Sequence, residues 1–471
     1  MSQSDRPNIL WYCTDQQRFD TIAALGNPYV STPNIDKLVR GGTSFTHTYC
    51  QSPICTPSRA SFMTGLYPAK LHNTRNGNAT FPEQTPLISR LIAAEGYDCG
   101  MIGKFHLQSS GHRTEPRVAK DGFRYWKFSH APRDDWPEGE HDYADWVSEN
   151  GGDLNAMRKS PDRVPRNYHQ TTWATTRAIE FISEDRGDQP WMLNINIYDP
   201  HPPFIPPREY AEKFDPESMP GPTFEASDIA TQAELSDADF QTKSKSPEDS
   251  NAKAEQAKYY AMISLIDDEF GRLLNHLEDS GAMKNTVVVF TSDHGETLGD
   301  HGLFFKGCRF YEGLTRVPLI FYAPGRIQEN IQCKQLTELL DLSASLLEIS
   351  GACIPDYHQG FSLVPYLNGQ RPLNAPVREA VRSEYFDALD PTFTQGNGTF
   401  ATMYRDTRYK LIVYHSINKG ELYDLETDPQ EHRNLWSSPS HTDVRNDLIL
   451  KSFNQHVNVT TDVGSKRIAP M

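Results

Sequence analysis

Short apolar runs alternate along the chain with segments of helical periodicity. The runs that predict strands are residues 8–14 (NILWYCT), 98–103 (DCGMIG), 191–198 (WMLNINIY), 286–292 (TVVVFTS) and 317–322 (VPLIFY). Nearly continuous apolar runs are typical of strands buried on both faces, as in parallel sheets covered by helices. The pattern therefore predicts an α/β fold with a large mixed, mostly parallel sheet flanked by helices.

The segments between these runs include one long amphipathic helix, predicted over residues 254–279. Apolar residues recur there at spacings of three and four: Tyr259, Met262, Ile263, Ile266, Phe270, Leu273, Leu274 and Leu277. This spacing places them on one face, which we expect to pack in the core. A shorter helix is predicted within residues 85–96, where Gly96 is the stop signal.

Two segments interrupt this alternation, residues 128–169 and residues 214–253. The first is dense in Trp, Asp, Pro and Gly, and the second is polar and almost without apolar periodicity. Loops this long in a compact domain are usually functional lids or disordered insertions. We interpret both as insertions in a large α/β domain that covers residues 1–375.

The remaining residues, 376–471, are predicted to form a smaller α+β subdomain. Two short strands flank a turn at Gly420, and a helix is expected to begin near Pro429. A chain of 471 residues exceeds the usual size of one hydrophobic core, which agrees with one large domain and a smaller one.

Composition excludes several classes of function. The formal net charge is -16 and no Lys/Arg run is visible, so a nucleic-acid partner is not expected. No signal-peptide pattern opens the chain and no stretch reaches the roughly 18 apolar residues of a membrane helix, so we expect no membrane partner and a cytoplasmic location. Seven cysteines, an odd number in such a chain, favour free thiols over a disulfide framework.

Polar side chains directly follow two of the predicted strands: Asp15, Gln16, Asp293 and His294. In open α/β sheets ligands bind beyond the carboxyl ends of the strands, so these side chains can meet at one point. Oxygen donors favour Ca²⁺ or Mg²⁺, and the imidazole keeps Mn²⁺ or Zn²⁺ open. The alternative is that each acidic residue only caps a following helix.

Cys55 lies in the stretch QSPICTPSRASFMTG, where the pattern predicts a helix. Pro57 suits the first position of a helix and Gly65 suits its end, which puts Cys55 at the N-terminus. Free N–H groups and the helix dipole there attract anions and lower a thiol pKa. Arg59 adds a cation one turn further on. Cys55 is therefore a candidate nucleophile, with a buried small apolar residue as the alternative.

Proton-transferring and cationic side chains also occur in loops after predicted strands: Lys104, His106, His201 and Lys306. A single lysine is usually a solvated charge, and a single histidine is more often structural than catalytic. Their joint positions after strands favour the catalytic interpretation.

Taken together, CTPSRAS, TDQQ, GKFHL, SDHG and DPHPPF resemble the motifs of the formylglycine-dependent (type I) sulfatases of the alkaline phosphatase superfamily. The likeness spans residues 7 to about 325 and resumes in GELYDLETDPQEHRNL, which is similar to the C-terminal subdomain of that family. The resemblance implies an alkaline phosphatase-like fold. It also implies that a separate formylglycine-generating enzyme, reading Cys55, Pro57 and Arg59, oxidises Cys55 to an aldehyde whose hydrate attacks the sulfate ester.

The resemblance also implies a role for each candidate residue. The ligands of one divalent metal would be Asp15, Gln16, Asp293 and His294. Arg59 and Lys104 would hold the aldehyde hydroxyls and the sulfate, and His106 would be the base that releases sulfate. His201 and Lys306 would contact the ester and assist protonation of the departing alcohol.

Two positions depart from the commonest pattern of the family. Gln16 stands where many members have Asp, and His294 where many have Asn, as in the branch that includes choline sulfatases and phosphonate monoester hydrolases. Ca²⁺ is the expected ion and Mn²⁺ the alternative. The expected substrate is a small sulfated mono- or oligosaccharide, and the alternative function is that of a phosphonate monoester or phosphodiester hydrolase or a choline-sulfatase-like enzyme on the same scaffold.

The remaining substrate contacts are predicted with an alternative for each. Asn76 is a candidate for substrate binding, or else an ordinary turn asparagine. The aromatic residues of the first insertion and its flank could stack on a sugar ring, or else pack in the interior: Trp126, Trp136, Tyr143 and Trp146. Assembly into a homo-oligomer is left open.

Overall fold

The computed structural model describes residues 6–76, 78, 81–82, 84–108, 118–133, 135–160, 163–389, 398–415 and 417–461. The strands are β1 (Asn8–Thr14), β2 (Thr43–Tyr49), β3 (Asp98–Gly103), β4 (Phe123–Phe128), β5 (Trp191–Asn196), β6 (Thr286–Ser292), β7 (Arg316–Val317), β8 (Leu319–Tyr322), β9 (Ile331–Glu338), β10 (Val381–Phe386), β11 (Phe400–Arg405), β12 (Tyr409–Tyr414) and β13 (Lys419–Asp424). The α-helices are α1 (Pro33–Gly41), α2 (Cys55–Thr64), α3 (Pro68–Leu71), α4 (Ile88–Ala94), α5 (Val118–Asp121), α6 (Asp142–Glu149), α7 (Leu154–Lys159), α8 (Gln170–Ile182), α9 (Arg208–Ala211), α10 (Ala226–Glu234), α11 (Ala252–Asp279), α12 (Glu312–Thr315), α13 (Leu339–Ser350), α14 (Val364–Leu367) and α15 (Thr442–Thr460).

The large sheet has nine strands in the order β4-β3-β5-β1-β6-β8-β2-β7, with β9 paired to β2. Pairing is parallel from β4 through β6 and between β2 and β9, whereas β8 runs antiparallel to both β6 and β2. A second, antiparallel sheet follows in the order β10-β11-β12-β13. The predicted fold, a mixed and mostly parallel sheet with a small C-terminal α+β unit, is confirmed.

Central strand β1 is buried on both faces, as its continuous apolar run predicts. Leu10 and Tyr12 pack in a cluster with residues of α1, α8 and α11, while Ile9 and Trp11 pack on the other face with residues of α2, α4 and α13. The apolar face predicted for the long helix belongs to the first cluster, and the helix itself spans Ala252–Asp279. Helices therefore cover both faces of the sheet and leave the carboxyl ends of its central strands to carry polar side chains.

The two predicted insertions contain regular structure that the sequence pattern did not reveal. Helices α6 and α7 lie in the first, with His141 and Asp153 capping their N-termini, and helix α10 lies in the second. Caps supplied by polar side chains stabilise such short helices without a strong apolar period. Trp136 and Tyr143 are buried and Trp126 and Trp146 pack against the core, so these rings serve as interior packing.

The helix expected near Pro429 does not begin there. The carboxylate of Asp428 accepts hydrogen bonds from the backbone N–H groups of His432 and Arg433, which holds this segment in turns. The C-terminal helix α15 begins only at Thr442. The two strands predicted before it are confirmed as β12 and β13, and the domain boundary near residue 376 stays a prediction.

None of the helices that the structure describes has the length and apolar character needed to cross a bilayer.

Candidate active site

Cys55 is the first residue of the buried helix α2. Ile54 before it is extended (φ −139°), and the helix ends at Gly65, whose left-handed φ of 77° a residue with a side chain would adopt only at a cost. Pro57 thus lies in the first turn rather than at the first position. The N–H of Thr56 donates to Asn76 Oδ1 at 2.9 Å, so Asn76 binds the start of this helix. Its predicted role as a substrate contact stays a prediction.

Four polar side chains converge on the Cys55 sulfur. Its Sγ lies 2.7 Å from Lys306 Nζ, 3.1 Å from His294 Nε2, 3.5 Å from Lys104 Nζ and 3.7 Å from Asp15 Oδ1. Burial and the Asp15 carboxylate oppose ionisation of the thiol, yet the two lysines and His294 lower the pKa of Cys55 below its ordinary value. The surroundings of this side chain therefore stabilise negative charge.

The register of β1 and β6 explains why two aspartates meet here. Thr14 pairs with Ser292 in parallel strands, so Asp15 and Asp293 follow side by side. Asp293 Oδ1 accepts hydrogen bonds from the backbone N–H groups of Gln16 (3.0 Å) and His294 (2.9 Å), which fixes its orientation. One ligand atom from each of Asp15, Cys55, Asp293 and His294 lies within 4.8 Å of the others.

This donor set fits a divalent cation. His294 Nδ1 lies 2.8 Å from Gly295 O, and since a carbonyl only accepts, Nδ1 carries the hydrogen, so Nε2, which faces the Cys55 sulfur, is the nitrogen that can bind an ion. Burial alone would raise the pKa of Asp15, but the cations of Lys104 and Arg59 hold it well below its usual range, so the carboxylate stays ionised. Two carboxylates, an imidazole and the nearby Gln16 amide oxygen are ligands that Ca²⁺ or Mn²⁺ accepts.

Arg59 connects the two aspartates from the buried second turn of α2. Its Nε donates to Asp293 Oδ2 at 2.8 Å, its Nη1 donates to the backbone oxygen of Lys104 at 2.7 Å, and its Nη2 lies 3.6 Å from Asp15 Oδ2. Nη2 is buried without a hydrogen-bond partner. Lys104 follows β3 and its ammonium contacts the Asp15 carboxylate. An unused guanidinium N–H near the Lys104 ammonium suits an incoming oxyanion.

His201 and Lys306 form a pair on the partly exposed side of the site. His201 Nδ1 is 2.6 Å from Pro202 O and therefore carries the hydrogen, so Nε2 accepts from Lys306 Nζ at 2.9 Å. Burial and the adjacent Lys306 keep the pKa of His201 well below its usual range. Lys306 Nζ also donates to Gln16 Oε1 at 2.9 Å. The Lys306 ammonium therefore contacts the Cys55 sulfur, the Gln16 amide oxygen and the His201 ring at once.

His106 lies beside this group, packed edge to face on His130 with ring centroids 4.7 Å apart. Both of its ring nitrogens are buried without a hydrogen-bond partner. Burial lowers the pKa of His106 well below its usual range, and Lys104 and His130 lower it further. The ring is therefore neutral, which is the form a base needs, and its role in releasing sulfate stays a prediction.

Three residues of the site were not found by sequence reasoning. Glu296 accepts a hydrogen bond from the Gln16 side-chain amide, and Tyr198 places its ring 5.4 Å from Lys104 Nζ and 4.6 Å from the His201 ring. An acidic residue two positions after His294 was a usable signal for Glu296. His130 belongs to the first insertion, where nothing in the local pattern marks it.

Comparison with known proteins agrees with this geometry. The Sulfatase family profile matches residues 7–352, and the profile named N-sulphoglucosamine sulphohydrolase, C-terminal, matches residues 299–457. The first match covers well over half of the chain. The protein therefore belongs to the Sulfatase family and is a sulfuric ester hydrolase.

Individual relatives are distant but span nearly the whole chain. An arylsulfatase of Clostridium perfringens is 28% identical over 92% of this chain and 91% of its own length. An N-acetylglucosamine-6-O-sulfatase of Bacteroides thetaiotaomicron is 26% identical over 95% and 86%. The crystal structure of a phosphonate monoester hydrolase of Agrobacterium radiobacter superposes with a TM-score of 0.81 at 25% identity and covers 96% of each chain. The alkaline phosphatase-like fold expected from the resemblance is confirmed.

Proposed function

We propose that this chain hydrolyses the sulfate ester of a sulfated mono- or oligosaccharide, with Cys55 converted to formylglycine as the attacking residue. The observation that carries the proposal is the position of the Cys55 side chain, where two lysines, an imidazole and a carboxylate converge at a buried helix N-terminus. The sugar class is supported by the bacterial relative whose name states that it acts on N-acetylglucosamine 6-O-sulfate.

A thiol would keep the transferred sulfuryl group as a stable adduct, which is the reason for the modification. When present, the hydrated aldehyde would supply one hydroxyl that loses its proton to solvent and bonds to sulfur through its oxygen, and a second whose deprotonation would restore the carbonyl as sulfate leaves. The proton for the departing alcohol oxygen would come from the His201–Lys306 pair as the sulfur–oxygen bond breaks. His106 would accept the proton of the second hydroxyl.

We propose that Asp15, Gln16, Asp293 and His294 hold one divalent cation, with Ca²⁺ expected and Mn²⁺ as the alternative. Such an ion polarises a sulfate oxygen and lowers the pKa of a hydroxyl beside it. Stripping the protein with a chelator should abolish turnover, and adding back each ion separately should identify the one that restores it. Full activity after complete metal removal would contradict this assignment.

A second function is favoured by a specific observation, the superposition on a phosphonate monoester hydrolase at 25% identity. Gln16 and His294 are neutral ligands, which makes the site less anionic than one with further carboxylates. A phosphonate monoester or phosphodiester, or choline sulfate, is therefore the alternative substrate. Comparing turnover of 4-nitrophenyl sulfate, a phenylphosphonate ester and a panel of sulfated sugars separates these functions, and a clear preference for the phosphorus ester would overturn the first.

The nucleophile is tested by Cys55→Ala, with Cys353→Ala, an exposed free cysteine, as the matched control. We expect kcat to fall by at least about 10³-fold in the first variant and to stay unchanged in the second. Mass spectrometry of the Cys55 peptide should show the thiol sulfur replaced by a carbonyl oxygen. Undiminished activity of Cys55→Ala in matured, metal-loaded protein would refute the proposal.

The partners expected from the sequence also stay predictions. The expected partners are a small sulfated substrate and, during maturation, a formylglycine-generating enzyme. Neither a nucleic acid nor a membrane is an expected partner, and assembly into a homo-oligomer is left open. The cytoplasmic location is likewise a prediction from the sequence.

A further inference from the structure

A second cluster of metal-binding side chain types lies outside the group around Cys55. It consists of Asp228 on α10, His301 in the segment after β6 and His432 in the turns after β13. One ligand atom from each lies within 4.8 Å of the others. Asp228 and His301 are 2% and 3% exposed. The cluster thus joins three segments that are far apart in the chain.

The distances within this cluster are those expected of ligand atoms around one bound ion. Asp228 Oδ1 lies 3.4 Å from His301 Nδ1 and 3.2 Å from His432 Nδ1. A charge-assisted N–H···O bond is usually about 2.7 to 2.9 Å long. Around an ion with bonds of about 2.0 to 2.1 Å, tetrahedral ligand atoms are about 3.3 to 3.4 Å apart.

Neighbouring groups hold the three side chains in this arrangement. The other Asp228 oxygen, Oδ2, accepts from the N–H of Glu225 at 2.8 Å and also lies 3.2 Å from His432 Nδ1, while Oδ1 faces both histidines. The His301 ring stacks on Tyr311 with centroids 3.8 Å apart. A polar cleft of about 700 Å³ reaches His432 and is lined also by Glu225 and Asp428. The cleft gives an ion a route in and provides water for a fourth position.

We propose that Asp228, His301 and His432 bind a second divalent cation, of the borderline class to which Zn²⁺ belongs. Two imidazole nitrogens, one carboxylate oxygen and one water form a set that Zn²⁺ prefers over Ca²⁺. The ion fastens α10 and the C-terminal turns to the segment that leads to Lys306. Its role is structural, because no residue of the cluster contacts the side chains around Cys55.

The test is a metal count on the full chain after chelation and reloading with Zn²⁺. Wild type should hold two equivalents, because the Cys55 cluster also accepts Zn²⁺. His432→Ala and Asp293→Ala should each hold one, and the double variant none. His441→Ala, a histidine in the same region outside the cluster, should hold two. Zn²⁺ should raise the Tm of Asp293→Ala by about 2 to 5 °C and leave the double variant unchanged.

X-ray absorption of Zn²⁺ in Asp293→Ala distinguishes the two sites without altering the second one. In protein made without a formylglycine-generating enzyme, where Cys55 keeps its thiol, we expect only nitrogen and oxygen ligands at about 2.0 to 2.1 Å, whereas an ion bound by Cys55 would add sulfur at about 2.3 Å. Folded Asp293→Ala that binds no Zn²⁺, or binds it through sulfur, would overturn the proposal. Two equivalents of Zn²⁺ in folded His432→Ala would overturn it as well. If His432→Ala does not fold, the X-ray absorption of Asp293→Ala still tests the proposal.

Discussion

At the scale of single residues, the orientation of the Gln16 amide is set by Glu296. The carboxylate is fully buried and receives hydrogen bonds from the backbone N–H groups of Leu298 and Phe305 as well as from the Gln16 Nε2. Burial raises the pKa of Glu296, and these donors offset part of that rise. Since a carboxylate only accepts, the amide nitrogen must face it. The carbonyl oxygen of Gln16 is therefore directed towards Lys306 and the proposed metal.

Glu296→Gln should weaken metal binding. The new side-chain amide at position 296 can donate as well as accept, so the Gln16 side chain is no longer held in a single orientation. We expect metal affinity and kcat/KM to fall by about 10- to 100-fold, with activity partly restored at high metal concentration. Isothermal titration with the restoring ion and kinetics at several metal concentrations measure this. Glu348→Gln, at an exposed position, is the control. Equal metal affinity in the two variants would contradict the assigned role.

At the scale of secondary structure, helix α1 receives its N-terminal cap from helix α11. Thr32 at the N-cap accepts no hydrogen bond from the helix backbone and donates its hydroxyl to the Asp36 side chain, whereas Asp267 Oδ1 accepts from the backbone N–H groups of Asn34 (3.1 Å) and Ile35 (2.8 Å). Burial raises the pKa of Asp267 to about 6 despite these donors. The helix start and the long helix are therefore joined through one buried carboxyl group.

The pH dependence of stability should reveal this group. Because the pKa in the folded state, about 6, exceeds the ordinary value of 3.8, the folded protein retains a proton that the unfolded chain loses. The free energy of unfolding, relative to Asp267→Asn, should therefore fall as pH rises from about 4 to about 6, by about 3 kcal/mol, and stay level above that. Urea unfolding of both proteins between pH 4 and 7 measures the difference in the free energy of unfolding. A difference independent of pH would contradict a raised pKa of Asp267 in the folded protein.

At the scale of the whole molecule, the C-terminal sheet is joined to the large domain through Lys410. This side chain on β12 is fully buried, and its Nζ lies 2.8 Å from Glu312 Oε1, 2.7 Å from Glu431 Oε1 and 2.9 Å from Phe310 O. Glu312 begins α12, a few residues after Lys306. The small sheet thus supports the segment that carries a predicted catalytic lysine.

Lys410→Met should lower the free energy of unfolding by about 3 to 5 kcal/mol, because it leaves the buried Glu431 carboxylate without its cation and removes one of the cations that contact Glu312. Lys451→Met is the matched control. Lys451 forms an exposed ion pair with Asp447 on α15, and its loss should change stability by about 1 kcal/mol or less. Equilibrium denaturation in urea compares the two. Similar stability losses in both variants would show that the buried contact does not join the two parts.

Much of the fold and the site could be predicted because the relevant patterns are local. The apolar runs of β1 and β6, the strand-end residues Asp15 and Asp293, and the start of a helix at Cys55 all follow from a few neighbouring residues. The start of α15 could not be predicted in this way, because the turns before it depend on hydrogen bonds to the Asp428 side chain.

The sequence alone determined the sheet strands, the long apolar helix face and the residue types at the strand ends, because backbone period and burial act over short stretches of chain. Only the tertiary structure decided which distant side chains meet: His130 with His106, Glu296 with Gln16, Asp267 with the start of α1, and His432 with Asp228 and His301. These contacts depend on the order and register of strands and on how helices pack over them, which no local period specifies.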